Sequence, residues 1–229
     1  NAHQFWQLKR FLKQNDVPQK LRYRVMRYGE YAVQMQRDRV HIENNKIYKL
    51  ISEQLQNELA CAVAAPFLCV HPLFHHLQFL KGSTMHRLAY SAVTFLYVGS
   101  LETVFHEGEM GDYMYFAVEG ALQYRSKRKG GNERVDSKED WISEPVLWVS
   151  AWKHLGDLMA IEDCTLLRVD PVALCQTVRL NPAVFNRVRS YASLFISWLN
   201  EQELRTLSDI GQGEAIHAEL RAFIQHEDL

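Results

Sequence analysis

His71 and His75 stand four positions apart, the spacing at which two imidazoles on one helix face can hold zinc. Pro72 falls between them at a helix start, and no carboxylate or thiol completes a ligand set, so no metal is assigned. Trp141, Trp148 and Trp152 could stack a purine, or could fill the interior of a fold instead. The run Glu107-Gly108-Glu109-Met110-Gly111-Asp112 places two glycines among acids. Glycine permits positive φ in a tight connection, and flanking acids favour a solvated turn. The chain shows no Ser/His/Asp set, phosphate-binding glycine loop or paired-carboxylate spacing, so it is read as a non-enzyme.

The elements that must position these residues follow from composition and periodicity. The 229 residues suffice for one large domain or two small ones, and 47% hydrophobic with 23% charged is ordinary for a globular chain. A net charge of −1 gives no global case for nucleic acid or membrane. The first forty residues are nonetheless basic, with nine Lys and Arg against three Asp and Glu. That excess leaves two readings open, contact with anionic lipid and a plain solvated helix face. Cys61, Cys69, Cys164 and Cys175 are widely spaced and are read as buried free thiols. No stretch reaches the roughly 18 to 20 apolar residues a membrane span needs.

The first part of the chain reads as helices. Phe5, Leu8, Phe11 and Leu12 recur at helical spacing, and Asn15-Asp16-Val17-Pro18 ends the run. Leu21, Val25, Tyr28, Ala32 and Met35 form the face of a second helix. A third is expected from about Asn44 to Val63, with Ile47, Leu50, Ile51, Leu55, Leu59 and Val63 as its buried stripe. Wide apolar faces on such helix–turn–helix pairs require a partner. After a short helix near Phe74 to Tyr90 the pattern alternates, with strands around Val93–Tyr97, Thr103–Phe105, Met114–Val118, Leu122–Arg125 and Cys164–Val169. The run Lys127 to Asp140, with the basic cluster Arg125-Ser126-Lys127-Arg128-Lys129 at its start, is expected to be a solvated hairpin loop. From Val172 the helical period returns. Helices, then short strands, then helices predict an α+β fold rather than βαβ winding.

The turn Gly108 to Asp112 followed by Met114-Tyr115-Phe116-Ala117-Val118 and Gly120 resembles the central signature of cyclic-nucleotide-binding domains. Upstream, Val17-Pro18, Leu21, Arg24-Val25, Tyr28 and Tyr31, then Leu55, Glu58-Leu59 and Pro72-Leu73-Phe74, resemble the linker before such domains in the hyperpolarisation-activated, cyclic-nucleotide-gated and ether-à-go-go channel superfamily. The resemblance implies a helical C-linker of helix–turn–helix pairs over residues 1–75. An antiparallel β-roll flanked by helices would occupy 76–203, and a C-terminal tail 204–229 would fold back over the roll or serve assembly. It implies a homo-tetramer through the linker, joined to the remainder of a channel, with no nucleic-acid partner. The chain would then be the cytoplasmic region of a membrane protein.

In that family a cyclic nucleotide is held by backbone amides, a carboxylate for the ribose 2′-OH and an arginine for the phosphate. Matching Ala160 and Cys164-Thr165-Leu166-Leu167 to the family's strand puts Ser143-Glu144 at its Gly-Glu pair and His154-Leu155-Gly156 at its Arg-Thr-Ala step. Glu144 is kept, Ser143 replaces glycine, Pro145 removes an amide, and His154 replaces arginine. Losing the arginine's charge-assisted fork should cost about 2–3 kcal/mol, roughly fifty-fold in affinity. Lys153 would substitute only if the register slipped by one, which would turn it to the other face. The expectation is a degenerate pocket over Ser143, Glu144, Pro145, Lys153, His154 and Leu155, taking cAMP or cGMP weakly or not at all. The alternatives kept open are a working nucleotide sensor and a non-channel scaffold with the same fold.

Overall fold

Three helices begin the same way, with a capping side chain followed at once by proline. His71 Nδ1 accepts from the amide of Leu73 at 3.3 Å, Asp170 from Val172 and Ala173 at 2.8 and 2.9 Å, and Asn181 from Ala183 and Val184 at 3.1 and 3.4 Å. Proline at the first helical position gives up an amide that would have no partner there. These starts and their neighbours order the computed structural model, which describes residues 2–38, 46–127, 130–136, 141–203 and 205–210.

Helices α1 (Ala2–Gln14) and α2 (Gln19–Asp38) form a hairpin about Asp16 and Pro18, with Leu12 buried between them. A short 3-10 turn, Tyr48–Leu50, precedes α3 (Glu53–Leu68), α4 (Pro72–Leu80) and α5 (Gly82–Ser91). The strands are β1 (Val93–Val98), β2 (Thr103–Phe105), β3 (Met114–Glu119), β4 (Ala121–Ser126), β5 (Gly131–Asp136), β6 (Trp141–Ile142), β7 (Asp157–Ala160) and β8 (Cys164–Val169). A one-turn helix α6 (Pro145–Trp148) follows β6, and α7 (Pro171–Arg179) and α8 (Pro182–Glu201) close the helical set. All strand pairs are antiparallel, in two four-stranded sheets ordered β1-β8-β3-β6 and β2-β7-β4-β5. The fold is α+β, as the order of periodicities predicts.

Strand β3 shows why the central segment reads as nearly continuous apolar sequence. Met114 and Phe116 point to a core shared with α3, α4, α5, α7 and α8, while Tyr115 and Ala117 point between the sheets. Both faces are covered, so alternation gives no polar positions until Glu119. The pairing of β3 with β8 shifts between Ala117 and Glu119, and Gly120 follows with φ +87°. A Cβ there would lie 2.6 Å from the Asp163 carbonyl oxygen and 2.7 Å from Cys164 Sγ.

Several sequence expectations move. The third helix starts at Glu53, where Ser52 caps it, and its buried side is Asn57, Cys61, Ala64 and Leu68. The predicted stripe of Leu55, Leu59 and Val63 faces outward, because the small residues let α3 approach α5 and the strands closely. The single helix expected near Phe74–Tyr90 is two, since Lys81 leaves helical geometry at φ −156°, ψ 85°. The expected loop Lys127–Asp140 contains strand β5, paired residue for residue with β4 from Ala121↔Asp136 to Ser126↔Gly131. Its polar sequence reflects an edge strand with one buried residue, Val135. Of the four free thiols, Cys61 and Cys164 are buried, Cys69 is half-buried and Cys175 is exposed. Ala32, Met35, Arg37, Arg39, Arg128 and Lys129 lie outside the described side chains. No helix among the described residues is long and apolar enough to cross a membrane.

Replacing Gly120 with alanine forces a Cβ into that backbone contact at positive φ. Urea denaturation is expected to show a loss of about 2–3 kcal/mol.

Candidate functional site

The glycine-acid turn and the pocket residues come together through main-chain bonds. Gly108 N–H donates to the His154 carbonyl at 2.8 Å, His154 N–H to Glu109 O at 2.9 Å, and Gly111 N–H to Trp152 O at 2.9 Å. Met110 and Lys153 form an isolated antiparallel bridge between these two segments. Gly111 is closed on by Val146 of α6 and the His154 ring. Tyr115 and Phe116 sit on opposite faces of β3, while Asp112 is exposed. The alternation of faces after Trp152 decides between Lys153 and His154. Lys153 is exposed, and His154 is 3% exposed, its ring stacked on Phe105 at 3.6 Å and 6°.

Ser143, Glu144 and Pro145 form the step from β6 into α6. Ser143 keeps a left-handed backbone at φ +63°, a conformation that strains a non-glycine residue by about 1–3 kcal/mol. Pro145 opens the four-residue α6, whose cap Glu144 makes no side-chain capping bond. The Glu144 side chain instead turns into the helical core, 1% exposed. Its Oε1 accepts from Tyr191 Oη at 2.8 Å, His71 Nε2 at 3.1 Å and Trp148 Nε1 at 3.2 Å, and its Oε2 from Trp141 Nε1 at 2.8 Å. Because His71 Nδ1 accepts the Leu73 amide, its ring proton is on Nε2, directed at the carboxylate. Both nitrogens of His71 are therefore in use, and His75 is an exposed residue beside Phe79. Burial alone would push the Glu144 carboxyl up. The bonds donated by His71, Tyr191 and Trp148 outweigh it and hold the group below the ordinary carboxylate range.

On the other side of Ser143 the interior is filled by the chain's own segment 207–210. Asp209 lies 2% exposed between the sheets. Its Oδ1 accepts from Trp152 Nε1 at 2.8 Å and lies 3.3 Å from His154 Nδ1; its Oδ2 accepts from Tyr124 Oη at 2.8 Å and from the Leu155 amide at 2.6 Å. The Ser143 amide donates to the Asp209 carbonyl at 2.6 Å, and Ile142 and Ile210 form a backbone bridge. Leu207 packs on Val146, Trp152 and Leu155, and Ile210 enters the core between the sheets. Gly156 makes room for this: a Cβ there would stand 2.7 Å from Tyr124 Cζ. Burial, then the charge of Asp209, pushes the Tyr124 phenol far up, so it serves as a fixed donor.

The two acids thus divide the tryptophans. Trp141 and Trp148 donate to Glu144, Trp152 to Asp209. Sequence reasoning placed Ser143, Glu144, Pro145, His154 and Leu155 around one region but did not find Tyr124, His71, Tyr191 or Asp209 as their partners. The available signal for the last was an acid between Leu207 and Ile210 in an otherwise weakly periodic tail. Among the described residues, no group of three or more His, Cys, Asp or Glu could hold a metal ion. A scan against protein-family models finds no match, and a search of curated proteins finds no relative.

Glu144→Gln removes the charge that four donors are built around. A loss of about 3 kcal/mol at neutral pH is expected in urea denaturation. The depressed carboxyl stabilises the fold above the unfolded value of about 4.3, and that contribution disappears as pH falls through the folded value. Below about pH 4.5 the stability of the variant should therefore decline less steeply than that of the parent chain.

Proposed function

We propose that this chain is the cytosolic linker and cyclic-nucleotide-binding-homology domain of a tetrameric cation channel, and that it regulates gating through packing contacts rather than a soluble nucleotide. The observation that carries the second half is the occupied pocket. Each group that would receive a nucleotide already has a partner within the chain. Glu144 is enclosed by four core donors, and the Leu155 amide and His154 face Asp209. Nothing in this geometry leaves a carboxylate for a ribose. Lys153, the cation that could replace the missing arginine, is on the solvent side.

The first half is supported by the linker motif and by what its helices leave uncovered. Trp6, Phe11, Leu21 and Tyr23 of the α1–α2 hairpin are 46–64% exposed, and Leu55, Leu59 and Val63 make an outward stripe on α3. Such faces suit burial against neighbouring copies. The hairpin is also tied to the strands, through Arg27–Asp163 at 3.7 Å and Tyr31 Oη donating to the Cys164 carbonyl at 3.3 Å. Displacement of α2 in an assembly would thereby pull on the β7–β8 turn. The exposed basic residues of the hairpin would face anionic lipid in this placement.

Isothermal titration of the chain with cAMP and cGMP tests the pocket: no saturation is expected, and a Kd below roughly 10 μM would overturn the nucleotide-independent reading. Light scattering tests assembly. A tetramer is expected at high protein concentration, reduced to monomer by Leu55→Glu with Leu59→Glu, and a parent chain monomeric throughout would remove the linker's assembly role.

A further inference from the structure

A cavity of about 160 Å³ opens where α2 meets the turn between β1 and β2. Leu21, Arg24, Val25 and Tyr28, spaced as one helix face, form one wall, and Ser100 to Glu102 line the other. Cavities of about 150 Å³ are known to take a benzene ring, and small-ligand sites favour junctions between packed units. Two features of the walls point to an occupant. The first is Leu101, which holds a left-handed backbone at φ +66°. Glycine would adopt that conformation freely, whereas leucine is strained in it. Main-chain bonds enforce it, from Leu101 N–H to the Ala160 carbonyl at 2.8 Å and from Glu102 N–H to the Gly99 carbonyl at 3.0 Å. An apolar side chain, 49% exposed, is thereby fixed on the cavity wall. Gly99 lets the Tyr28 ring close on the same turn, since a Cβ there would stand 2.9 Å from Tyr28 Cδ2. The second feature is Arg24. Its Nε is shut off from solvent and makes no hydrogen bond, and it forms no ion pair among the described residues. The nearby carboxylates are committed elsewhere. Asp163 accepts from the Ser100 amide at 2.8 Å and pairs with Arg27 at 3.7 Å, and Glu102 Oε2 accepts from the Gly99 amide at 2.7 Å. A guanidinium without an acceptor beside apolar and aromatic side chains suits an anion.

We propose that this cavity binds a small aromatic carboxylate of benzoate size, its ring among Val25, Tyr28 and Leu101 and one carboxylate oxygen on the Arg24 Nε–H. The site goes beyond the regulatory reading and does not rest on it. A monoanion is favoured over a phosphate ester, because one unpaired guanidinium stands near two carboxylates, Glu102 and Asp163, that repel a dianion. The ligand joins α2 to the β1–β2 turn, adding to the Arg27–Asp163 pair and the Tyr31 bond to the Cys164 carbonyl.

The test titrates the full chain with benzoate, benzyl alcohol and benzylammonium, read by saturation-transfer NMR on the ligand ring protons. Benzoate is expected to saturate with a Kd of about 1 mM. The neutral and cationic analogues should bind at least about tenfold more weakly. Arg24→Gln should remove the preference for benzoate over benzyl alcohol, and Leu101→Ala should weaken both by a similar factor. Arg87→Gln, which removes an exposed cation on α5, should change neither. Should Arg24→Gln lose its cooperative unfolding transition, Val25→Phe takes its place, filling the cavity from α2 while keeping the charge, and should abolish binding. No saturation by benzoate, equal binding of benzoate and benzyl alcohol, an undiminished preference in Arg24→Gln, or a loss in Arg87→Gln as large as in Leu101→Ala overturns the site. Each of these results leaves the assembly and nucleotide-independent readings to their own tests.

Discussion

A carboxylate removed from water must find donors or give up its charge, and among its described residues this chain buries two of them on either side of one backbone step. Glu144 faces the helices and Asp209 faces the space between the sheets; Ser143 joins the two environments. The left-handed φ of Ser143 follows from this division. The backbone must turn sharply enough for residue 144 to enter the helical core while the amide of residue 143 remains directed at the segment carrying Asp209. Much of the interior is organised to satisfy these two groups. His71 at the start of α4, Tyr191 in the middle of α8 and Trp148 in α6 converge on Glu144 from separate elements, so that one carboxylate ties three helices to strand β6.

The network around Glu144 also explains why the helices before and after the strands behave as one layer. Helices α3, α4, α5, α7 and α8 share a hydrophobic core with Met114, Phe116, Leu167 and Val169. Dispersion and burial hold that layer together without specifying one arrangement closely, whereas four directed bonds to a single buried group do. A shift of α8 by a fraction of a turn would cost Tyr191 its bond to the carboxylate. The helix that closes the domain is thereby coupled to the step that contacts the bound segment, two residues from its main-chain anchor at Ile142.

Much of the fold was legible in sequence because its signals are local. Caps before prolines, the alternation in Val93–Tyr97 and the glycines at 108, 111 and 120 each act within a few residues. The faces of α3 were misjudged for a physical reason: its large residues form the more obvious stripe, yet the small ones, Cys61 and Ala64, permit the close approach that packing selects. Strand β5 was hidden because an edge strand with one inward residue has almost no apolar pattern. The site was legible in part. Lys153 and His154 could be read as facing opposite ways, since period 2 dictates it. The partner of Leu155 and His154 could not be read, because Asp209 lies 55 residues beyond His154 and no local rule links them.

The neutral donors around Asp209 are sufficient because the segment that carries it is tethered. A free anion at micromolar concentration must supply its whole binding energy from contacts, which favours a permanent charge in the site. A segment joined to α8 through residues 202–206 is presented at an effective concentration of about millimolar or higher, so modest intrinsic affinity keeps it in place. Aromatic N–H and O–H donors and one backbone amide are then sufficient, and their fixed geometry favours the shape of a carboxylate over a larger phosphate ester. The same tether raises the concentration any free competitor needs, in proportion to the ratio of local concentration to the segment's own dissociation constant.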